Sequence, residues 1–149
     1  MSAQTTYSST IDAAYAGLVA DLEPKEVVSK ACESASIGFG LAVNQGTADE
    51  QAVLGGTDVI GITVRSLDRE GTSTAVQYSQ YEAMGVLREG YIWVEIENTG
   101  SPGDILYTDD TTGAVGTGAA GAGQTLLPNS TLETTVSTAG DLGLIRVKL

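Results

Sequence analysis

The chemistry open to this chain is narrowed first by a residue type it lacks, since there is no histidine among its 149 residues. Ser/His/Asp and Cys/His nucleophilic sites, and every metal centre built on imidazole, are excluded with it. What remains is a set of partial matches. Gly118-Ala119-Ala120-Gly121-Ala122-Gly123-Gln124-Thr125 has the spacing of a phosphate-cradling loop, but Gln124 stands where the lysine that holds the β and γ phosphates belongs. Leu126-Leu127-Pro128 follows it where a helix is required. Gly38-Phe39-Gly40 opens like a dinucleotide fingerprint, yet Val43 occupies the third glycine position. Room for a bulge or a neighbouring strand accounts better for those glycines.

The carboxylates fare no better. Glu95 and Glu97 share one face of an alternating run, with Arg88 near in sequence, which sketches the paired carboxylates of a glycosidase. Alternation alone already explains them as solvated charges. Asp104, Asp109 and Asp110 lack the ligand spacing of a calcium loop, and turns favour aspartate for their own reasons. Asn129-Ser130-Thr131 fits a glycosylation acceptor but reads as a turn. Cys32 is the single cysteine, so no intrachain disulfide forms, and beside Val28 and Ala31 it reads as a small apolar packing residue. No catalytic, cofactor-binding or metal-ligating residue is assigned, no cofactor is expected, and the chain is not expected to be an enzyme.

The elements around these residues are written as short apolar runs separated by Gly, Asn, Asp and Thr, the pattern of an all-β domain, a small single-domain barrel or sandwich. Residues 24–33, with Pro24 at the start, fit a short helix and a strand equally. Strands are expected at 36–43, 59–65, 84–87, 90–97, 105–107, 132–137 and 142–148, with a polar loop at 66–74. In the run from Tyr91 to Glu97, Ile92, Val94 and Ile96 take one face, and Tyr91, Trp93, Glu95 and Glu97 the other. Turns are expected at 98–104 and 109–113. The Gly/Ala-rich residues 113–123 read as an exposed, mobile loop that folding does not need.

The domain division expected is an arm, 1–23, ahead of a β-rich domain, 24–149. The arm is polar with spaced apolar anchors, Tyr7, Ile11, Tyr15, Leu18 and Val19, and offers no cap or strand partner of its own. A segment of this kind gains order by lying on a neighbour, so these five residues are the candidate interface. Hydrophobic residues make up 42% of the chain but aromatics only 5%, so the core is thin and association of subunits should supplement it. A formal charge of −12 repels phosphate backbones and anionic membranes, which argues against nucleic-acid or membrane binding. The opening residues carry neither a cationic start nor an apolar run, and no stretch approaches the roughly 18 apolar residues of a span. The expectation is a soluble protein made in the cytoplasm.

One resemblance runs over most of the chain. Ala16-Gly17-Leu18-Val19-Ala20-Asp21, Ile37-Gly38-Phe39-Gly40-Leu41-Ala42-Val43, Ile60-Gly61-Ile62-Thr63-Val64, and Gly85-Val86-Leu87 leading into Gly90-Tyr91-Ile92-Trp93-Val94 are its first pieces. Pro102-Gly103-Asp104-Ile105-Leu106-Tyr107, Thr112-Gly113 and Gly143-Leu144-Ile145-Arg146-Val147 continue it in order. In this sequence of pieces the chain resembles the structural cement, or head decoration, proteins of tailed bacteriophages. The resemblance implies a β-rich subunit without catalytic residues that binds the outside of an HK97-type shell and stabilises the head. Its implied partners are the phage major capsid protein and further copies of itself, trimer favoured over dimer because local three-fold points recur on icosahedral shells. Its implied place is the outer surface of the virion. The competing class is a β-sandwich module that recognises a carbohydrate or host surface.

Overall fold

In the computed structural model, residues 14–20, 24–66 and 77–149 are described. They form an all-β domain with no helix among them. The strands are β1 (Val19–Ala20), β2 (Glu26–Cys32), β3 (Ser36–Gly38), β4 (Ala42–Gln45), β5 (Gln51–Leu54) and β6 (Val59–Thr63), then β7 (Gln77–Ser79), β8 (Ala83–Glu95), β9 (Ile105–Asp109), β10 (Val115–Thr117), β11 (Gln124–Leu132) and β12 (Leu142–Lys148).

Strand β8 organises the rest. Its first half pairs antiparallel with β2, from Ala31↔Ala83 to Glu26↔Glu89, and with β6 at Ile62↔Leu87. β2 runs parallel to β5, and β5–β4 and β4–β6 pair antiparallel, so the pairings return to β8 and close a ring of five strands. Its second half pairs with β12 over residues 89–95 and with β1 at Val19↔Ile92. Beyond β12 the sheet continues through β11 and β9 to β10. The two separate runs expected at 84–87 and 90–97 are therefore one strand, hinged at Gly90. There φ is +136°, and just before it, between Leu87 and Glu89, the register against β2 slips by a residue. Glycine is needed because other residues rarely adopt that φ.

Alternation along β8 feeds two cores. Val86 joins Cys32, Ile37, Phe39, Val43, Ala52, Tyr78 and Met84. Leu87 points the other way and meets Ala42, Ile62, Ile92, Val94, Ile96 and the apolar residues of β9 to β12. The side-chain sorting read from Ile92, Val94 and Ile96 holds, since all three are fully buried.

One open reading is resolved and three local expectations are corrected. Residues 24–33 resolve to strand, β2, as the parallel pairing to β5 leaves no room for a helix. The single strand expected at 36–43 is broken by a turn at Phe39-Gly40, where Gly40 takes φ +71° and Thr63 Oγ1 donates to Gly38 O at 2.8 Å and accepts from Leu41 N at 3.0 Å. The last-but-one strand is 124–132, not 132–137. Pro128 is tolerated inside it because the register against β9 shifts between Leu127 and Thr131, leaving a bulge with Asn129 at φ +54°.

The largest correction falls on residues 113–123. Gly113, Val115, Gly116 and Thr117 are buried, and Val115–Thr117 pairs with β9 at Thr108, Tyr107 and Leu106. The glycines there serve close packing, since a Cβ on Gly116 would lie 2.2 Å from Tyr107 Cζ. Only residues 119–123 remain as an exposed turn.

The expected loop at 66–74 falls, but for Ser66, outside the described residues.

Candidate interaction surface

Of the five arm anchors, Tyr7 and Ile11 lie outside the described residues, while Tyr15, Leu18 and Val19 sit on a short segment sewn to the domain. Gly17 N donates to Trp93 O at 2.7 Å, Trp93 N to Leu18 O at 2.9 Å, and Arg65 N to Gly17 O at 2.7 Å. Gly17 is at φ +79°, and a Cβ there would lie 2.8 Å from both Arg65 N and Phe39 Cβ, so only glycine lets the segment approach this closely. The expectation that the arm has no strand partner is therefore corrected over β1. Val19 packs on the main core, Ala14 is buried, and Tyr15 is 47% exposed.

The Arg65 guanidinium lies 4.9 Å from the Tyr15 ring centroid and 5.4 Å from that of Phe39, a cation-π arrangement that holds Tyr15 where the segment enters the domain. Two open hollows adjoin this stack, of about 590 and 640 Å³, and share Ala16, Arg65, Glu95 and Gly140 as lining. Residues 14–16 of the arm segment line the larger hollow, with Ala16 lining both, while Glu95 lines both and Glu97 the smaller. Arg88 is elsewhere, midway along β8 and 3.4 Å from Glu26 of β2, so it does not join those carboxylates.

Asp104 and Asp109 act inside turns, and Asp110 reaches across to β11. Asp109 Oδ1 accepts from Thr111 N at 2.8 Å and Thr112 N at 2.7 Å, and these amides, Thr112 first, hold its carboxyl below its ordinary value. Asp104 Oδ2 accepts from Ser101 N at 2.8 Å, and Asp110 Oδ1 from Thr125 Oγ1 at 2.6 Å. Among the described residues no group of three or more His, Cys, Asp or Glu is placed to hold a metal. Gln124, at the lysine position of the phosphate-loop pattern, accepts from Gly121 N at 2.8 Å and so closes its own turn. Cys32 is buried, and desolvation pushes its thiol up.

Asp104 and Asp109 are engaged in their own turns, while Glu95, Glu97, Arg146 and Lys148 lie exposed on the surface. The family model for structural cement protein (E217 gp24/Pam3 gp6) matches residues 3–148. The chain belongs to that family. It is thus a phage structural protein. A chain from the capsid of Myoviridae phage XM1 superposes on 99% of this chain and 98% of its own length, with a TM-score of 0.78 at 16% identity. At that identity the likeness establishes the shared fold alone. Among curated proteins none matches the sequence.

Three exposed apolar residues were missed by sequence reading. Tyr81 is 71% exposed at the turn between β7 and β8, and Ile105 and Leu126 lie half exposed on β9 and β11. Leu126-Leu127-Pro128 carried a usable signal, because proline within an apolar run marks an edge or a bulge. Tyr81 carried none, since Gln80-Tyr81-Glu82 has no turn residue.

Proposed function

We propose that this member of the cement family binds the outside of the major capsid shell and stabilises the phage head through contacts alone, without catalysis. The observation that carries the reading is the match of the family over residues 3–148, joined to a fold shared with a phage capsid chain. The charge of −12 supports an outward location, because a field of that sign opposes packed DNA and suits the solvent side of the shell. Many modest contacts repeated over a lattice act multivalently, which is how a small subunit resists outward pressure on the shell.

The arm, residues 1–23, is the proposed capsid-facing element ahead of the domain 24–149. Tyr7, Ile11 and Tyr15 are its anchors, with Leu18 and Val19 tying it to the domain as well. Copies of the chain associate, three being favoured at local three-fold points of the lattice. The test is binding to undecorated heads of full-length protein against a variant lacking residues 2–13, which spares the paired segment 14–20. The variant is expected to keep its circular dichroism spectrum and to lose at least tenfold in affinity, roughly the 1.4 kcal/mol of one modest apolar anchor. Equal binding of both proteins would remove the arm from the interface, and failure of the full-length protein to bind heads would overturn the function.

A further inference from the structure

We propose that two patches of this subunit are complementary to each other and join neighbouring copies head to tail: the Tyr81 turn of one copy seats in a hollow between β9, β11 and β12 of the next. The hollow is about 470 Å³, open to solvent, and lined by the exposed Ile105, Leu126 and Pro128. Arg146 and Lys148, both exposed, stand on its rim. The chain has only seven Lys and Arg against 19 Asp and Glu, so two cations beside one apolar hollow select an acidic, apolar-tipped partner.

The Tyr81 turn has that chemistry. The tyrosine is 71% exposed and held at φ +65°, a conformation disfavoured for a bulky residue unless its surroundings impose it. They do so here. Tyr81 N donates to Cys32 O at 2.6 Å, Glu82 N to Ser79 O at 3.1 Å, Ser79 N to Glu82 Oε2 at 2.8 Å, and Gln80 Nε2 to Glu33 O at 3.1 Å. An exposed aromatic carried on a backbone already fixed loses little main-chain freedom on docking, a property of an interface anchor. Its acidic neighbours are Glu82, next in the chain, and Glu33, whose carbonyl the turn contacts, with Glu50 bonded through its carbonyl to Ala31 N near the end of β2. The cation nearby, Lys30, is tied to Gln45 Oε1 at 3.0 Å and Asp49 O at 2.5 Å.

The turn precedes the start of β8, whereas the hollow adjoins β12 where Lys148 pairs with Glu89 and Arg146 with Tyr91, farther along β8. Two different patches that fit each other make a heterologous contact, which closes into a ring when the rotation permits. A ring of three is the expected closure.

Mixing distinguishes this contact from any symmetric one. Tyr81→Ala removes the anchor and Leu126→Asp spoils the hollow, with circular dichroism confirming that each variant folds. Where Leu126→Asp does not fold, the exposed Lys148→Glu replaces it. By light scattering at micromolar concentration, the unaltered protein is expected at three times its chain mass of 15.3 kDa, and each variant alone at one chain mass. An equimolar mixture of the two variants should give two chains and stop there, because a single intact tip and a single intact hollow remain. A monomeric unaltered protein, variants that keep the full mass, or a mixture that stays monomeric would each overturn the proposal. Head binding is measured separately, so this contact can fail while the capsid role stands.

Discussion

At the scale of single residues, the polar groups of this protein hold turns closed. Asp109 is the clearest case, with two backbone amides donating to one carboxylate oxygen. Because the carboxyl is held below its ordinary value of 3.8, its contribution to stability is present above that pH and is lost as pH falls through the lower folded-state value. Asp109→Ala should therefore melt at a lower temperature than the unaltered protein at neutral pH, with the gap narrowing in melts run well below 3.8. A gap that stays constant would place the effect in packing instead. Gly116 is the steric counterpart. A methyl group there meets the Tyr107 ring at 2.2 Å, and overpacking of a buried site typically costs about 1–3 kcal/mol. Gly116→Ala should lose stability on that scale in urea denaturation.

At the scale of elements, the fate of the Gly/Ala-rich segment shows what was legible in the sequence. Composition alone made 113–123 a loop, but its apolar content, Val115 with small neighbours, is what a tightly packed strand against Tyr107 requires. Glycine marks both mobility and close approach, and sequence cannot separate them without knowing the neighbour. The outer side of this strand is occupied by the Asn98 amide, which donates to Thr117 O and accepts from Thr117 N, each at 2.8 Å, as a further strand would. Alternation through Ile92, Val94 and Ile96 was legible because period two needs no partner to be read. The join of 84–87 to 90–97 was not, as a glycine hinge within a strand looks like a turn. The hydrogen bonds through Gly17 that tie the segment of Tyr15, Leu18 and Val19 down were not legible, because they depend on residues distant in sequence. Shortening residues 119–122 should change stability by well under about 1 kcal/mol, the order of a small change in loop closure. Replacing Val115–Thr117 by a Gly/Ser linker should abolish the cooperative transition in circular dichroism.

At the scale of the whole molecule, one long strand shared by a closed five-strand ring and an open sheet gives a rigid body with exposed apolar sites at separate places. Its histidine-free, strongly acidic composition leaves it without a side chain that ordinarily titrates between about pH 5 and 8, which suits a permanent structural part. The central claim is that this body sits on the outside of the capsid shell, and cryo-electron microscopy of the parent heads with and without the protein tests it most directly. Added density is expected on the outer surface where capsomers meet, with the domain as a compact β body and residues 1–23 reaching the capsid protein. Density on the inner surface, or heads identical with and without the protein, would contradict it.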